Sequence, residues 1–361
     1  MKELLLFLSF FISVSASSQT ISGYVYDEGL DVPLEGAFVF LDGTTLSATT
    51  DSNGFFTINA GQKYNAALLV KYIGYKTFSV ENPFSYEGPF KVLMREDAID
   101  LDAVVVNRSG GPFSRREMLK VFREEFLGRS RAGESCKIEN EDDIRLYYDT
   151  QTKTLYAEAD KPLKVINKRL QYKITFDLVG FQVNYRSKSL NPYHITSSFF
   201  ATSTFFEDIS KNKEKAAEIR DEAYLGSTVH LLKTMAKGDW EDQKFKLFKD
   251  GFIIDPKQYL SISDSLKYKK VALIKESAER GKIDISGLNS GQSPEQADLP
   301  KTPRFGVLYD NEEESFFEFT KGHFYVDENG LFFPITELVF GGVLGERKAG
   351  DLLPADYKYG E

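Results

Sequence analysis

Between Thr20 and Glu81 the chain alternates polar and apolar residues in runs of a few positions, each closed by Gly, Pro, Asp or Asn. Ile21, Gly23 and Val25 share one phase; Ala37, Val39 and Leu41 share another; Leu68, Val70 and Tyr72 a third. A period of two in short segments bounded by turn residues predicts antiparallel strands, each with one face buried. Asp51-Ser-Asn-Gly54 reads as a turn, because Asp and Asn bond local backbone and Gly adopts positive φ without strain. Phe56 and Ile58 then fall on one face, as packing against a second sheet requires. Asp51-x-Asn53-Gly54 also begins like a calcium loop, but residue 62, at the twelfth position, is Gln where that loop needs a carboxylate.

The motifs of this stretch follow in a fixed order. They are Gly23-x-Val25, Pro33-Leu34-x-Gly36-Ala37-x-Val39, Gly43-Thr44, Thr50-Asp51-x-x-Gly54-x-Phe56-x-Ile58 and Tyr72-Ile73-Gly74-Tyr75. In this order they resemble the carboxypeptidase regulatory-like domain, a transthyretin-like or Ig-like β-sandwich. The resemblance implies a non-catalytic accessory module over residues 19–106. Leu93–Val106 is similar to the segment that follows this domain in TonB-dependent outer-membrane receptors. Here a Gly-Gly-Pro linker at 107–113 comes next, so Val104–Val106 reads as a closing strand.

Residues 1–18 read as a signal peptide: Lys2, an apolar run over Leu4–Val14 too short to span a bilayer, and the small residues Ala16-Ser17-Ser18. Export is expected, to the periplasm, the outer membrane or the medium. No other stretch reaches 18 consecutive apolar residues, so no transmembrane helix is expected. A net charge of −9 without a basic run argues against nucleic acid. The 30 Phe and 19 Tyr suit cross-strand aromatic pairs. Cys136 is the chain's only cysteine, so it is either a buried inert thiol or a lone reactive one.

Residues 114–361 read as a β-rich α+β antiparallel domain. Ser114-Arg-Arg-Glu117 is a capping box opening a helix with Met118, Leu119, Phe122 and Phe126 on one face and Gly128 past its end. A β-meander is predicted from Ile144 to Phe206. A solvated helix is expected from Ile209 to Tyr224, then a second one capped by Ser227, with Val229, Leu232 and Met235 on one side. Strands are expected at Phe245–Phe248, Phe252–Ile254, Phe305–Tyr309, Phe316–Thr320, His323–Val326 and Leu331–Phe340, with a long loop over Ser286–Pro303. Phe126-Leu-Gly128, Ala159-Asp-Lys-Pro-Leu163, Ala223-Tyr-Leu-Gly-Ser227 and Asp351-Leu-Leu-Pro354 resemble the second half of exported Bacteroidota proteins that pair the same domain with a β-rich region. That resemblance implies no activity.

Catalytic motifs do not emerge. Zinc carboxypeptidases need His-x-x-Glu with a further distant His, because the metal wants three fixed ligands and an open site. The three histidines, His194, His230 and His323, are followed at that spacing by Ser197, Lys233 and Val326. Neither a Gly-x-Ser-x-Gly elbow nor a phosphate loop occurs. Gly341-Gly-Val-Leu-Gly345 reads as a bulge or hairpin without a clear helix, and Glu141–Asp143 and Glu312–Glu314 read as solvated turns. Trp240 is a packing residue or, with Tyr185 or Tyr193, a stacking platform for a sugar. No catalytic, cofactor-binding or metal residue is assigned, and no cofactor is expected. The expected function is a non-catalytic binding or scaffold role at the cell envelope with an envelope or outer-membrane protein as partner. A hydrolase with a site in residues 114–361 and a small outer-membrane barrel stay open beside it.

Overall fold

The computed structural model describes residues 19–97, 111–274 and 303–360. The expected signal peptide, the Val104–Val106 strand, linker residues 107–110 and the loop from Ser286 as far as residue 302 lie outside the described residues. Of these, residues 19–41 and 46–97 form one compact unit, and residues 42–45, 111–274 and 303–360 a second.

The first unit contains β1 (Gln19–Asp27), β2 (Phe38–Leu41), β3 (Ser47–Thr49), β4 (Phe55–Ala60), β5 (Leu68–Lys71), β6 (Phe78–Val80) and β7 (Phe90–Met94). One sheet has the order β4-β1-β7 and the other β3-β2-β5-β6. The pairing of β1 with β7 is parallel, where alternation alone predicted antiparallel strands. Val25, Phe56, Ile58 and Val92 from the first sheet and Val39, Leu41, Leu68 and Val70 from the second are buried, which makes the sandwich core.

The motif residues have structural tasks. Thr50 Oγ1 accepts the Ala37 N–H at 2.8 Å and donates to Leu34 O at 2.6 Å, closing the turn before β2. Asp51 Oδ1 accepts the Asn53 and Phe55 N–H groups. Gly54 sits at φ +72°, with Val25 O only 2.4 Å from where a Cβ would stand. Tyr75 donates to Asp27 Oδ2 at 2.5 Å, while Asp27 Oδ1 accepts from Gly29 and Leu30 N–H. The Tyr75 bond holds Asp27 below the usual carboxylate range, and the same bond pushes Tyr75 up to about 12.

The second unit begins with α1 (Arg115–Leu127), whose capping box is present as expected. α2 (Arg131–Glu134), β8 (Cys136–Ile138), β9 (Ile144–Asp149), β10 (Thr154–Ala159), β11 (Leu163–Asn167), β12 (Tyr172–Tyr185) and β13 (Ile195–Asp208) follow. These strands make a six-stranded sheet in which β12 is central. β13 runs along one edge of β12; β11 and β10 share the other, end to end. The register shifts between Leu178 and Gly180, leaving Val179 as an extra residue. This bulge moves the buried phase from Tyr172, Ile174 and Phe176 to Phe181, Val183 and Tyr185 within one strand. Phe122 and Phe126 of α1 cover that face, in contact with Phe181 and Phe176.

Next come α3 (Lys213–Tyr224) and α4 (Thr228–Lys237). α3 starts at Lys213, not Ile209, because Asn212 caps it and Asp208 Oδ1 holds Ser210 N–H in a turn. The buried side of α4 is His230, Leu231, Leu232, Thr234 and Met235, turned from the expected Val229 stripe. Then follow β14 (Phe245–Lys249), β15 (Phe252–Ile254), β16 (Leu260–Ser265), β17 (Tyr268–Leu273), β18 (Arg304–Tyr309), β19 (Glu313–Phe319), β20 (His323–Val326), β21 (Phe332–Phe333), β22 (Leu338–Gly342) and α5 (Val343–Glu346). They form the sheets β15-β14-β18-β19-β22 and β16-β17-β20-β21 around a second core of Leu231, Met235, Phe245, Phe305, Phe317, Phe319 and Phe324.

Several expectations are corrected here. The β16–β17 hairpin was not expected. Leu331–Phe340 is not one strand: Pro334, which has no N–H, separates β21 from β22, and the two join different sheets. Glu313 and Glu314 lie on β19, not in a turn. Gly341 and Gly342 end β22 and lead into the single helical turn of α5. A Cβ on Gly341 would stand 2.1 Å from the Phe316 ring, so close packing explains that glycine. Among the described residues the sheets are open and none closes on itself, unlike the barrel alternative.

Candidate functional site

The residues singled out from the sequence do not converge. His230 is buried; its Nδ1 accepts the Gly226 N–H at 3.1 Å, so Nε2 carries the proton and donates to Gln243 Oε1 at 2.9 Å. Burial pushes its pKa down and keeps the ring neutral. It packs against Tyr224, Phe245 and Tyr309 as a core histidine. His194 Nδ1 lies 2.6 Å from Ser187 Oγ, a contact that resembles a nucleophile and its base. No carboxylate orients the other ring nitrogen among the described residues, so the contact falls short of a triad. His323 stands on β20 beside Tyr325. Among the described residues no group of three His, Cys, Asp or Glu could hold a metal ion.

Cys136 is half-buried, its Sγ 3.3 Å from Ala132 O, and burial pushes its thiol up to about 12. A thiol held protonated in this way is the less reactive form, since the thiolate is the nucleophile. Trp240 is only 7% exposed and belongs to the second core, which overturns the sugar platform at that position. Tyr185 is buried in the other core and Tyr193 is exposed beside β13, so the three do not assemble. Glu141 is committed to Arg123, and Glu313 to Arg347 at 2.9 Å.

What the second unit does present is the outer side of the six-stranded sheet and its edge. β13 is 14 residues long and pairs with β12 along its length, apart from Thr196, which a second register shift leaves as an extra residue. From Thr196 to Ser203 its other edge meets no strand among the described residues. From Ile195 to Phe206 the strand reads Ile-Thr-Ser-Ser-Phe-Phe-Ala-Thr-Ser-Thr-Phe-Phe, without a charge, a proline or a glycine. Native edges are ordinarily blunted by charges, proline, bulges or coverage, because unpaired N–H and C=O groups template a further strand. Lys348 reaches Ser198 Oγ at 2.8 Å, but its charge is paired with Glu125. On the solvent face, Tyr147, Tyr156, Gln182 and Phe199 come into one row across β9, β10, β12 and β13. None was singled out from the sequence. The only signal there was that Tyr147, Tyr156 and Phe199 fall on the polar phase of their strands.

A mainly β protein with an N-terminal β-sandwich is thus what the fold defines. Residues 21–106 match the family described as CarboxypepD_reg-like domain, a stretch that takes in most of the first unit. No curated protein matches the chain. Among solved structures the chain is similar to two interface mutants of a type II cohesin-X-dockerin complex from Acetivibrio cellulolyticus. One match has 28% identity and covers 21% of this chain and 56% of that chain. The other has 25% identity and covers 31% of this chain and 76% of that chain. The chain therefore spans little more than half of the first. Both have a TM-score of 0.19, which assigns neither fold nor partner.

Proposed function

We propose that this is an exported, non-catalytic cell-envelope protein that binds another envelope protein, and that an extended segment of that partner adds to β13 as a further strand. The observation that supports this most is the uncharged, proline-free edge from Thr196 to Ser203. An added strand gains main-chain hydrogen bonds along such an edge, while alternate side-chain pockets supply selectivity. The motif residues of the N-terminal domain are committed to turns and sheet contacts, which fits an accessory module better than a catalytic one.

The test has two parts. Intact mass of the protein from its native host should show loss of about 18 residues from the start; an uncleaved chain refutes export. In envelope extracts, the partner retained by wild type should be lost by Ala201→Lys, which sets a charge beside the open edge. Amides from Thr196 to Ser203 should gain hydrogen-exchange protection when the partner is bound. Equal capture by a folded Ala201→Lys variant, or no added protection there, refutes the edge.

A further inference from the structure

Tyr147 lies directly opposite Tyr156, Tyr156 opposite Gln182, and Gln182 opposite Phe199. Directly opposed residues project from the same face of a sheet. Leu155, opposed to Tyr148 and Val183, points into the core, so the Tyr156 row points to solvent. Tyr147 is 47% exposed and Phe199 38%. The Tyr147 and Tyr156 rings stack at 5.0 Å with their planes 18° apart. The row crosses three inter-strand steps, about 14 Å in all.

We infer that this row is a binding platform for a neutral oligosaccharide. A cross-strand tyrosine pair stabilises a sheet without any ligand. That explains Tyr147 and Tyr156 but neither Gln182 nor Phe199. Among the described residues no protein group hydrogen-bonds the Gln182 amide or either phenol. An amide that can both donate and accept therefore stands uncommitted between aromatic side chains. A pyranose offers the matching chemistry: a C–H face for the rings and hydroxyls that donate and accept for the amide.

The surroundings argue against an acidic ligand. Arg145 is paired with Glu158 and Asp160. Asp149 Oδ1 is taken by the Gln151 and Thr152 N–H groups. The neighbouring row is polar and closed on itself: Thr154 Oγ1 donates to Asn184 Oδ1, and Asn184 Nδ2 donates to Ser197 Oγ, each at 2.9 Å. Each of these groups already has a partner, and one arginine against three carboxylates repels an acidic ligand, whereas a neutral polyol needs no counter-charge.

The full chain is screened on an array of neutral oligosaccharides, and the best binder is titrated by calorimetry against wild type, Tyr147→Ala and Gln182→Ala. Each substitution should weaken binding at least tenfold. Gln182→Ala should leave far-UV circular dichroism and the melting temperature unchanged, since that amide bonds no protein group. Capture of a protein partner by Gln182→Ala should also persist, which separates this platform from the β13 edge. No retained oligosaccharide at millimolar concentration, or unchanged affinity in the two variants, overturns the inference.

Discussion

Arg220 of α3 offers a sharp test of how the second unit is held together. Its guanidinium is almost fully buried and donates four hydrogen bonds: Nε to Leu170 O at 2.9 Å, Nη2 to Gln171 O at 3.2 Å, and Nη1 and Nη2 to Asp208 at 3.2 and 3.0 Å. It also lies 3.8 Å over the Tyr172 ring. The turn it clasps contains Gln171 at φ +55°, a left-handed conformation that costs free energy unless its neighbours hold it. Arg220→Ala removes the donors and leaves the buried Leu170 carbonyl unpaired, at about 1–3 kcal/mol. It also takes two hydrogen bonds from the Asp208 carboxylate, which keeps those of Lys213 and the Ser210 N–H. Breaking a buried pair from one side costs about 3–5 kcal/mol, but Asp208 is about a quarter exposed and water recovers part of that. The expected loss is about 3–4 kcal/mol. Arg220→Lys should fall between, because an ammonium cannot reproduce the fork.

The assay is urea unfolding followed by far-UV circular dichroism, repeated down the pH scale. Burial alone would raise the pKa of Asp208. Hydrogen bonds from Arg220, Lys213 and Ser210 outweigh it and hold the carboxyl far below its usual range. A depressed folded-state pKa means the contribution is fully present above about pH 4 and is lost as pH falls further. The gap between wild type and Arg220→Ala should therefore stay constant from neutral to about pH 5 and narrow below about pH 4. A gap under about 1 kcal/mol at pH 7, or one that widens in acid, refutes the clasp.

Other substitutions test other parts of the fold. Gly54→Ala, at φ +72° and with Val25 O 2.4 Å from the new Cβ, should destabilise the sandwich by about 2 kcal/mol or more in thermal melts; a shift below 1 kcal/mol would contradict the close approach. Leu266→Gly should stabilise by up to about 1 kcal/mol, since Leu266 is fully exposed at φ +55°; a loss of stability means the leucine packs on something in solution. Asp327 has a pKa raised by burial, and its Oδ2 lacks a partner among the described residues. A raised carboxyl pKa means stability falls as pH rises from about 4 towards neutral. Asp327→Asn should flatten that slope in urea midpoints, and an unchanged slope counts against it.

What the sequence showed and what it hid divide along the range of the interactions. The α1 capping box was legible because Ser114 and Glu117 satisfy each other within one turn of chain. The sandwich motifs were legible because Thr50, Asp51 and Gly54 act on their own turn and its neighbours. β12 was legible in two halves, since Gly180 looks like a break; only the pairing with β13 shows that Val179 is a bulge inside one strand. The β16–β17 hairpin was hidden for a different reason. It buries little besides Leu260 and Val271, and its turn places Leu266 where Gly or Asn would have announced it. The aromatic row was hidden most deeply. Tyr147, Tyr156, Gln182 and Phe199 sit on four strands, and each is unremarked on its own as a solvent-phase residue. Alternation tells which face a residue takes but not which strand lies beside it. Cross-strand register alone sets Gln182 between Tyr156 and Phe199. A one-residue slip would turn each of them inward. The same register that buries Leu155 and Val183 and packs Phe200 against the core thus builds the platform on the opposite face, so the core and the candidate site stand or fall together.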